Sequence, residues 1–342
     1  MAVAGWKEAA APHPPLDSLP VRWFNHTVAA VGDGVVKRRV EGAGVMLSVT
    51  ERGDPDRPTV VLVHGFPDTQ AVWEPVADLL AVDLHVVSYD VRGAGDSGTP
   101  VHRSDYALHL LVEDMAAVID AVSPDEAVHL VAHDWGSIQG WEAVLSPRLT
   151  GRIASYTSIS GPPLDYAALW ARQHRGAGPT GLRAALRQAL HSWYIAFFHI
   201  PVLPRLAARN TKLWSGALER LEGAEPDALW PAPTLADDFA HGVELYRANV
   251  LPRFRHPAAG HTDTPVQIIV PLRDRYLTPT LLEGLESWSS GAWRRQVDAG
   301  HWVIRTDPHN VAAWTRQLID FVEQGTESPD LSRWRAGQDR VA

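Results

Sequence analysis

The stretch from Val128 to Gly136 restricts the fold of this chain more than any other; it reads Val-His-Leu-Val-Ala-His-Asp-Trp-Gly. Its first residues are apolar and partly β-branched, which predicts a buried parallel strand. From Gly136 to Leu145 the apolar residues recur at helical spacing, so a helix is expected to follow with almost no loop. A turn this sharp holds its central residue, Asp134, in a strained conformation with the side chain above the sheet edge.

The predicted turn has the form of a nucleophile elbow, whose usual pattern is Gly-x-Ser-x-Gly. Here Ala132 replaces the first glycine, Asp134 stands at the serine position, and Gly136 lets the helix begin close to the strand. A carboxylate nucleophile favours alkyl transfer, because its attack on an sp³ carbon forms an ester that water can cleave. The alternative interpretation of Asp134 is a helix N-cap without a chemical role.

Composition excludes several classes of protein. The 342 residues suffice for one large domain or two small ones, and 45% hydrophobic with 21% charged residues is typical of a soluble globular protein. A net charge of −9 argues against nucleic acid and anionic membrane surfaces as partners. Cysteine is absent, which excludes disulfides and zinc–thiolate sites. We find neither a signal peptide nor a membrane-spanning stretch, so a cytoplasmic enzyme is predicted.

Strands and helices alternate along the first half of the chain. Short apolar runs predict strands, and amphipathic spacing predicts the helices between them. The predicted strands are Val35–Arg39, Val45–Glu51, Thr59–Val63, Leu84–Tyr89, the elbow strand and Ile153–Ser158, with helices at Ala71–Leu80 and Tyr106–Ala121. This alternation predicts a mostly parallel, doubly wound α/β sheet with right-handed crossovers.

The alternation stops in the middle of the chain. Residues 164–255 show a helical, aromatic and proline-punctuated pattern, after which strands return at Val266–Val270 and Trp293–Val297, followed by a helix at Val311–Val322. We therefore predict an α/β core formed by residues 21–163 and 256–325, and a helical cap formed by residues 164–255. The cap is expected above the C-terminal ends of the strands, where such sheets bind ligands. Residues 1–20 and 326–342 are predicted to be tails.

A nucleophilic carboxylate needs supporting groups, and the sequence offers a candidate for each. His301 follows a predicted strand and would activate the water that cleaves the ester. An acid that orients this histidine is expected after another strand, where Asp274 is favoured and Asp165 is the alternative. The backbone N–H groups of Phe66 and Trp135 are predicted to form an oxyanion hole.

Three motifs, His64-Gly65-Phe66-Pro67, His133-Asp134-Trp135-Gly136 and Gly300-His301, resemble those of the α/β-hydrolase superfamily. With the chain order nucleophile, acid, histidine, they are similar to its epoxide hydrolase and haloalkane dehalogenase branch over roughly Val45 to Val322. The resemblance implies an α/β-hydrolase fold with a cap inserted over the strand ends. Besides Phe66 and Trp135, the residues assigned to oxyanion or substrate binding are His64, Pro67, Trp193 and Trp302.

The cap sequence separates the two branches. Opening an epoxide expels an alkoxide, and epoxide hydrolases supply two cap tyrosines as proton donors. The segments around Tyr194, in Ser-Trp-Tyr-Ile-Ala-Phe-Phe, and Tyr246, in Glu-Leu-Tyr-Arg-Ala-Asn, resemble those that carry this pair. Phe66, by contrast, cannot donate to a halide from its side chain. Tyr166 and Tyr276 are interpreted as packing residues.

The resemblance thus implies a bacterial epoxide hydrolase with an Asp-His-Asp triad of Asp134, His301 and Asp274. It is similar to the actinobacterial type, in which such a domain can be fused to a dehydrogenase-like domain; this chain is expected to lack the second domain. The expected partners are a small apolar epoxide and water, with no cofactor and no metal, and a homodimer is left open. The alternatives are a haloalkane dehalogenase or a biosynthetic enzyme that catalyses a non-hydrolytic step in the same pocket.

Overall fold

A computed structural model describes residues 26–31, 34–209 and 211–337 of the chain. The predicted N-terminal arm, residues 1–20, and the last five residues of the predicted C-terminal tail lie outside the described residues. Within the described ranges, no helix combines the length and the apolar composition that crossing a bilayer would require.

The described strands form one sheet in the order β1-β2-β3-β5-β4-β6-β7-β8-β9. The strands β1, β2 and β3 pair antiparallel with their neighbours, and all pairs from β5 to β9 are parallel. Their bounds are β1 His26–Val31, β2 Val35–Glu41, β3 Met46–Arg52, β4 Thr59–Val63, β5 His85–Tyr89, β6 Val128–His133, β7 Ile153–Ile159, β8 Val266–Pro271 and β9 Ala292–Val297. The predicted mostly parallel α/β sheet is confirmed.

Helices cover both faces of the sheet, as expected for strands that are buried on both sides. The described α-helices are α1 Glu74–Leu80, α2 Leu108–Val122, α3 Trp135–Leu145, α4 Leu164–Gly176, α5 Gly178–His191, α6 Trp193–Phe198, α7 Leu203–Ala208, α8 Thr211–Glu222, α9 Leu235–Arg255, α10 Val303–Thr306, α11 Pro308–Gln324 and α12 Pro329–Ser332. Met115 of α2 and Trp141 of α3 pack in one core cluster, while Val76 of α1 and Val311 of α11 pack in another.

The helices α4 to α9 all lie between β7 and β8, and we call residues 164–255 the helical insert. No strand occurs among the described residues of this interval. The insert leaves the sheet after the C-terminal end of β7 and returns before β8, so its helices can reach side chains at the C-terminal strand ends. This is the edge at which β6 delivers Asp134.

The C-terminal segment corrects a sequence prediction. We predict a free polar tail over residues 326–342, but residues up to 337 fold back onto the edge strand β9. Leu331 is fully buried, the Trp293 indole N–H donates to Glu327, and the backbone N–H of Ala336 donates to the carbonyl of Ala292 at 2.8 Å. An uncovered edge strand exposes unpaired backbone groups, and this segment covers part of that edge. The polar composition of the segment gives little sign of Leu331 and Trp334, the apolar residues that pack against Trp293.

Candidate active site

Asp134 occupies the turn between β6 and α3 in a backbone conformation that non-glycine residues rarely adopt. Its φ is 54° and its ψ is −121°, a conformation that costs about 1–3 kcal/mol. The helix can begin this close to the sheet because Gly136 has no side chain: a Cβ there would lie 2.2 Å from the carbonyl oxygen of Val63. The strained turn therefore projects the carboxylate of Asp134 above the sheet edge.

The loop after β4 lies directly against this carboxylate. The backbone N–H of Phe66 donates to Asp134 Oδ1 at 2.7 Å, and a Cβ on Gly65 would lie 2.3 Å from the same oxygen. Trp135 is the first residue of α3, where backbone N–H groups have no partner within the helix. The Phe66 N–H therefore contacts the carboxylate, and the Trp135 N–H follows Asp134 directly in the chain; their role as an oxyanion hole stays a prediction.

His301 and Asp274 come together beside Asp134. The Nδ1–H of His301 donates to Asp274 Oδ2 at 2.8 Å, and the Nε2 of His301 lies 3.6 Å from Asp134 Oδ2. The other oxygen of Asp274 accepts from the backbone N–H groups of Tyr276 and Leu277 at 2.7 and 3.0 Å. These bonds fix the tautomer and the orientation of the imidazole ring.

Electrostatics within this trio favour the charged forms. Burial lowers the pKa of His301, but the charge of Asp274 and hydrogen bonds to Asp134 and Asp274 outweigh it and raise the pKa well above its usual value. Burial likewise raises the pKa of Asp274, yet the charge and hydrogen bond of His301, with the two backbone donors, leave it lowered. Asp274 is therefore held as a carboxylate.

The alternative acid, Asp165, is occupied elsewhere. It lies in the first turn of α4, where it accepts from the guanidinium of Arg253 and from the backbone N–H of Ala258. Arg253 also binds Glu142, so this cluster connects the end of the insert to helix α3. Of the two candidate acids, the structure brings only Asp274 to His301.

Tyr194 and Tyr246 meet above the carboxylate from two helices of the insert, α6 and α9. Their ring centroids are 5.9 Å apart, and both side chains line a cavity with Asp134. Burial and the charge of Asp134 raise the pKa of Tyr194, although a hydrogen bond to Tyr246 opposes this. Burial, the phenol of Tyr194 and the charge of Asp134 raise the pKa of Tyr246. Both phenols therefore keep their protons as hydrogen-bond donors at neutral pH.

Two apolar cavities meet at these residues. The first has a volume of about 310 Å³ and includes Phe66, Pro67 and His301 in its lining, whereas the second has about 620 Å³ and includes Trp135. Their shared lining residues are Asp134, Tyr194, Tyr246 and Tyr276. The Asp134 carboxylate therefore lies where two largely hydrophobic cavities meet.

Of the other residues that we assign to substrate binding from the sequence, Trp302 and Trp193 line a cavity and His64 does not. Trp302 lines the smaller cavity, but its indole N–H donates to Asp68 at 2.9 Å. Trp193 lines the outer part of that cavity and is largely exposed. His64 corrects our assignment, because it lines neither cavity: its Nδ1–H donates to the Gly65 carbonyl and its Nε2 accepts from the Val91 N–H, both at 2.9 Å. Its side chain therefore connects the loop after β4 to the loop after β5.

Sequence reasoning missed three residues of the site, of which Tyr276 and Glu222 contact His301. Tyr276, which we interpret as packing from the sequence, lines both cavities, and its ring centroid lies 4.7 Å from that of His301. Glu222, at the end of α8, accepts from the backbone N–H of His301 at 3.0 Å, and burial raises its pKa. A signal for Tyr276 exists in its position two residues after Asp274, but none marks Glu222.

Asp68 is a third missed residue, and it lies buried beneath the smaller cavity. Its two oxygens accept from the indole N–H groups of Trp230, at 2.6 Å, and Trp302, at 2.9 Å. Burial raises its pKa to about 6 despite these two donors, and the neighbouring charge of Asp134 acts in the same direction. Asp68 joins the loop after β4 to Trp230 and to the residue that follows His301.

The raised pKa of Asp68 predicts a pH-dependent stability. The folded protein retains this proton to higher pH than the unfolded chain, so ionisation destabilises the fold as pH rises from about 4 to about 6. Asp68→Asn removes the titration. The unfolding free energy of this variant, relative to that of the wild type, should therefore rise by about 2 kcal/mol between about pH 4 and about pH 7. Urea unfolding at the two pH values measures this; a difference that does not change with pH contradicts it.

The comparisons with known proteins agree with this geometry. A family model described as the alpha/beta hydrolase fold matches residues 58–308. A Mycobacterium tuberculosis protein named "Probable oxidoreductase EphD" is 38% identical over 305 residues, which cover 87% of this chain and 51% of that protein. The chain thus spans about half the length of that curated relative, whose name describes the whole of it. "Epoxide hydrolase A" of the same organism is 37% identical over 132 residues, which cover 38% of this chain and 40% of the relative.

Solved structures give the same picture. The epoxide hydrolase of Bacillus megaterium, solved with an inhibitor, has a TM-score of 0.69 at 21% identity and covers 82% of this chain and 99% of its own. Epoxide Hydrolase A from Mycobacterium thermoresistibile has a TM-score of 0.64 at 25% identity and covers 84% and 98%. The predicted resemblance to epoxide hydrolases is confirmed by these neighbours, and the match to the family model shows that the chain belongs to the α/β-hydrolase fold family.

Proposed function

We propose that the protein is an epoxide hydrolase that converts an apolar epoxide into a vicinal diol through a covalent ester on Asp134. One observation carries this proposal: a carboxylate on a strained elbow shares a cavity with two protonated phenols, those of Tyr194 and Tyr246. The relatives and neighbours named as epoxide hydrolases support the same reaction class.

In the first half-reaction, the free oxygen of Asp134 attacks one carbon of the epoxide ring. The carbon–oxygen bond of the strained ring breaks, and the released electron pair resides on the former ring oxygen. Tyr194 and Tyr246 donate hydrogen bonds to that oxygen and supply the proton that it requires. The second oxygen of Asp134 already accepts from the Phe66 N–H, which orients the attacking carboxylate.

In the second half-reaction, His301 acts in its neutral form, because esterification removes the Asp134 charge and hydrogen bond that help to raise the pKa of the free imidazole. Its extra proton passes to the phenolate left by ring opening. The Nε2 of His301 then takes a proton from water, and the hydroxide attacks the carbonyl carbon of the Asp134 ester. Asp274 stabilises the imidazolium that forms, through the bond at Nδ1. The negative oxygen of the tetrahedral intermediate accepts from the N–H groups of Phe66 and Trp135. Removing one such donor typically costs about 2.7–4 kcal/mol of barrier. The bond between the carbonyl carbon and the ester oxygen then breaks, and the leaving alkoxide takes the proton from His301 to complete the diol. The Asp134 carboxyl group finally returns its proton to His301.

The geometry favours this reaction over dehalogenation. A dehalogenase holds the leaving halide with N–H donors from side chains, and tryptophan is the typical source. Here the indole N–H of Trp302 is engaged by Asp68, and the side chain of Trp135 is hydrogen-bonded to Tyr246. Phe66 offers no side-chain donor. We further propose that the insert, residues 164–255, acts as the cap that supplies the phenols and shields the ester from bulk water.

The chemistry predicts an isotope label on Asp134. Because water attacks the ester carbonyl, one oxygen of Asp134 should be exchanged for solvent oxygen during a single turnover in heavy-oxygen water. Mass analysis of proteolytic peptides should therefore find the label in the Asp134 peptide and none in the Asp165 peptide, which serves as the internal control. An unlabelled Asp134 peptide after diol formation rules out this mechanism.

A further inference from the structure

The distribution of charge along the chain is strongly uneven. Residues 166–218, which form most of the helical insert, contain none of the 40 Asp and Glu residues of the chain. The same stretch holds seven of its 31 Lys and Arg residues, namely Arg172, Arg175, Arg183, Arg187, Arg205, Arg209 and Lys212. A chain with a net charge of −9 therefore concentrates positive charge in a single segment, so the overall charge does not describe this surface.

Helix α5 combines two of these arginines with exposed apolar side chains. Leu182, Leu186 and Leu190 follow each other at intervals of four residues, so they form a stripe along one side of the helix. They are 43%, 56% and 73% exposed, and Trp193 at the start of α6 is 65% exposed. The stripe is apolar surface that the described part of the chain leaves uncovered.

Arg183 and Arg187 lie next to this stripe, each one position after a leucine. Both side chains are exposed, and neither forms an ion pair with a carboxylate of the described ranges. We call the set Leu182, Arg183, Leu186, Arg187, Leu190 and Trp193 the α5 face. It shows the pattern of helices that lie in a membrane interface: leucine and tryptophan on one side, with unpaired arginine beside them.

The α5 face is continuous with the opening of the catalytic cavity. Trp193 belongs to the face and also lines the smaller cavity, together with His191 at the end of α5. The Nδ1–H of His191 donates to the carbonyl of Arg275, which lines the same cavity. A membrane or protein bound to the α5 face would therefore lie next to the cavity that contains Asp134.

We propose that the α5 face binds the surface of a lipid bilayer that carries anionic headgroups. The arginines would contact the headgroups while Leu186, Leu190 and Trp193 insert at the level of the upper acyl chains. This goes beyond the proposed reaction, because it assigns a place of action: an apolar substrate dissolved in the bilayer passes into the cavity without crossing water.

The test measures co-sedimentation of the full chain with vesicles of phosphatidylcholine, alone or mixed in equal parts with phosphatidylglycerol. We expect binding to the mixed vesicles, release at high salt, and little binding to phosphatidylcholine alone. The double variant R183Q/R187Q should weaken binding to mixed vesicles about 30-fold, because each charge removed weakens it about fivefold. The variant L186S/L190S should also bind more weakly, although it retains both arginines.

Matched controls replace exposed residues outside the insert. Val82 and Val101 are 83% and 87% exposed, so V82S/V101S matches the leucine variant, and R57Q/R333Q matches the arginine variant. Both controls should bind vesicles as the wild type does. Vesicle binding requires no turnover, so its outcome is independent of the proposed reaction.

Two kinds of result would overturn the proposal. One is a vesicle result: either the wild type does not bind mixed vesicles, or R183Q/R187Q binds them as tightly as the wild type does. The other is a dimer, measured by light scattering, that L186S/L190S dissociates while vesicles bind none of the variants. That second result would assign the α5 face to a second copy of this chain.

Discussion

His301→Gln is expected to stop the reaction at the covalent ester, so that the variant accumulates with the mass of one substrate molecule added. Glutamine can still donate to Asp274, but it cannot take a proton from water. Asp134 can therefore attack the epoxide while the ester persists. Turnover should fall by about 10²–10⁴-fold, the usual contribution of a general base. Intact-mass spectrometry with a panel of aryl and terpenoid epoxides detects the adduct.

Two controls define this result. Asp134→Ala should form no adduct with any substrate that labels His301→Gln, because the nucleophile is missing. His309→Gln carries the same substitution at an exposed position of α11 and should turn over normally without an adduct. If His301→Gln loses activity but is never alkylated, then Asp134 is not the nucleophile, and a non-hydrolytic reaction in which His301 acts only as a base becomes the better interpretation.

The double variant Y194F/Y246F is expected to lose alkylation of Asp134 by about 10²–10⁴-fold, because both proposed proton donors to the ring oxygen are removed. Each single variant should retain part of the rate through the other phenol. Phenylalanine keeps the edge-to-face packing with Phe198, so thermal stability should change little. Rapid-quench measurement of adduct formation, in a His301→Gln background, isolates this step from ester hydrolysis.

Tyr166→Phe provides the matched control, because Tyr166 lies in the insert but lines neither cavity. It should alkylate at the wild-type rate. Since burial and the charge of Asp134 raise the pKa of Tyr194, ring opening should also persist through about pH 10, where an ordinary phenol loses its proton. Normal alkylation by Y194F/Y246F would remove the basis for epoxide opening. Release of halide from a haloalkane by that variant would instead support a dehalogenase.

The elbow is the part of the site that local sequence predicts best. A strand, a sharp turn and a helix are all encoded within Val128–Leu145, so Asp134 can be located without any long-range contact. The choice between Asp274 and Asp165 could not be made in this way, because both follow strands of the same sheet. Arg253, 88 residues away in sequence, occupies Asp165, and only the three-dimensional structure reveals that pairing.

His64 and Glu222 show the opposite limits of sequence reasoning. His64 stands inside a motif beside the predicted oxyanion donor, yet both of its ring nitrogens are used by backbone groups of the loops after β4 and β5. Position in a motif does not tell which way a side chain points. Glu222 has no motif, and its bond to His301 spans 79 residues between the insert and the loop after β9. Such contacts depend on how the insert packs on the sheet.

The hydrogen bond between Glu222 and His301 links the position of the insert to that of the proposed base. Gly300 permits this approach, since a Cβ there would lie 2.6 Å from Glu222 Oε2. An outward shift of α8 would widen the smaller cavity, and it would also withdraw Glu222 from the backbone N–H of His301. A change that makes room for a substrate would therefore also alter how the proposed base is held. Substitutions that loosen the insert far from the cavity would then slow the hydrolytic half of the cycle more than the alkylation half.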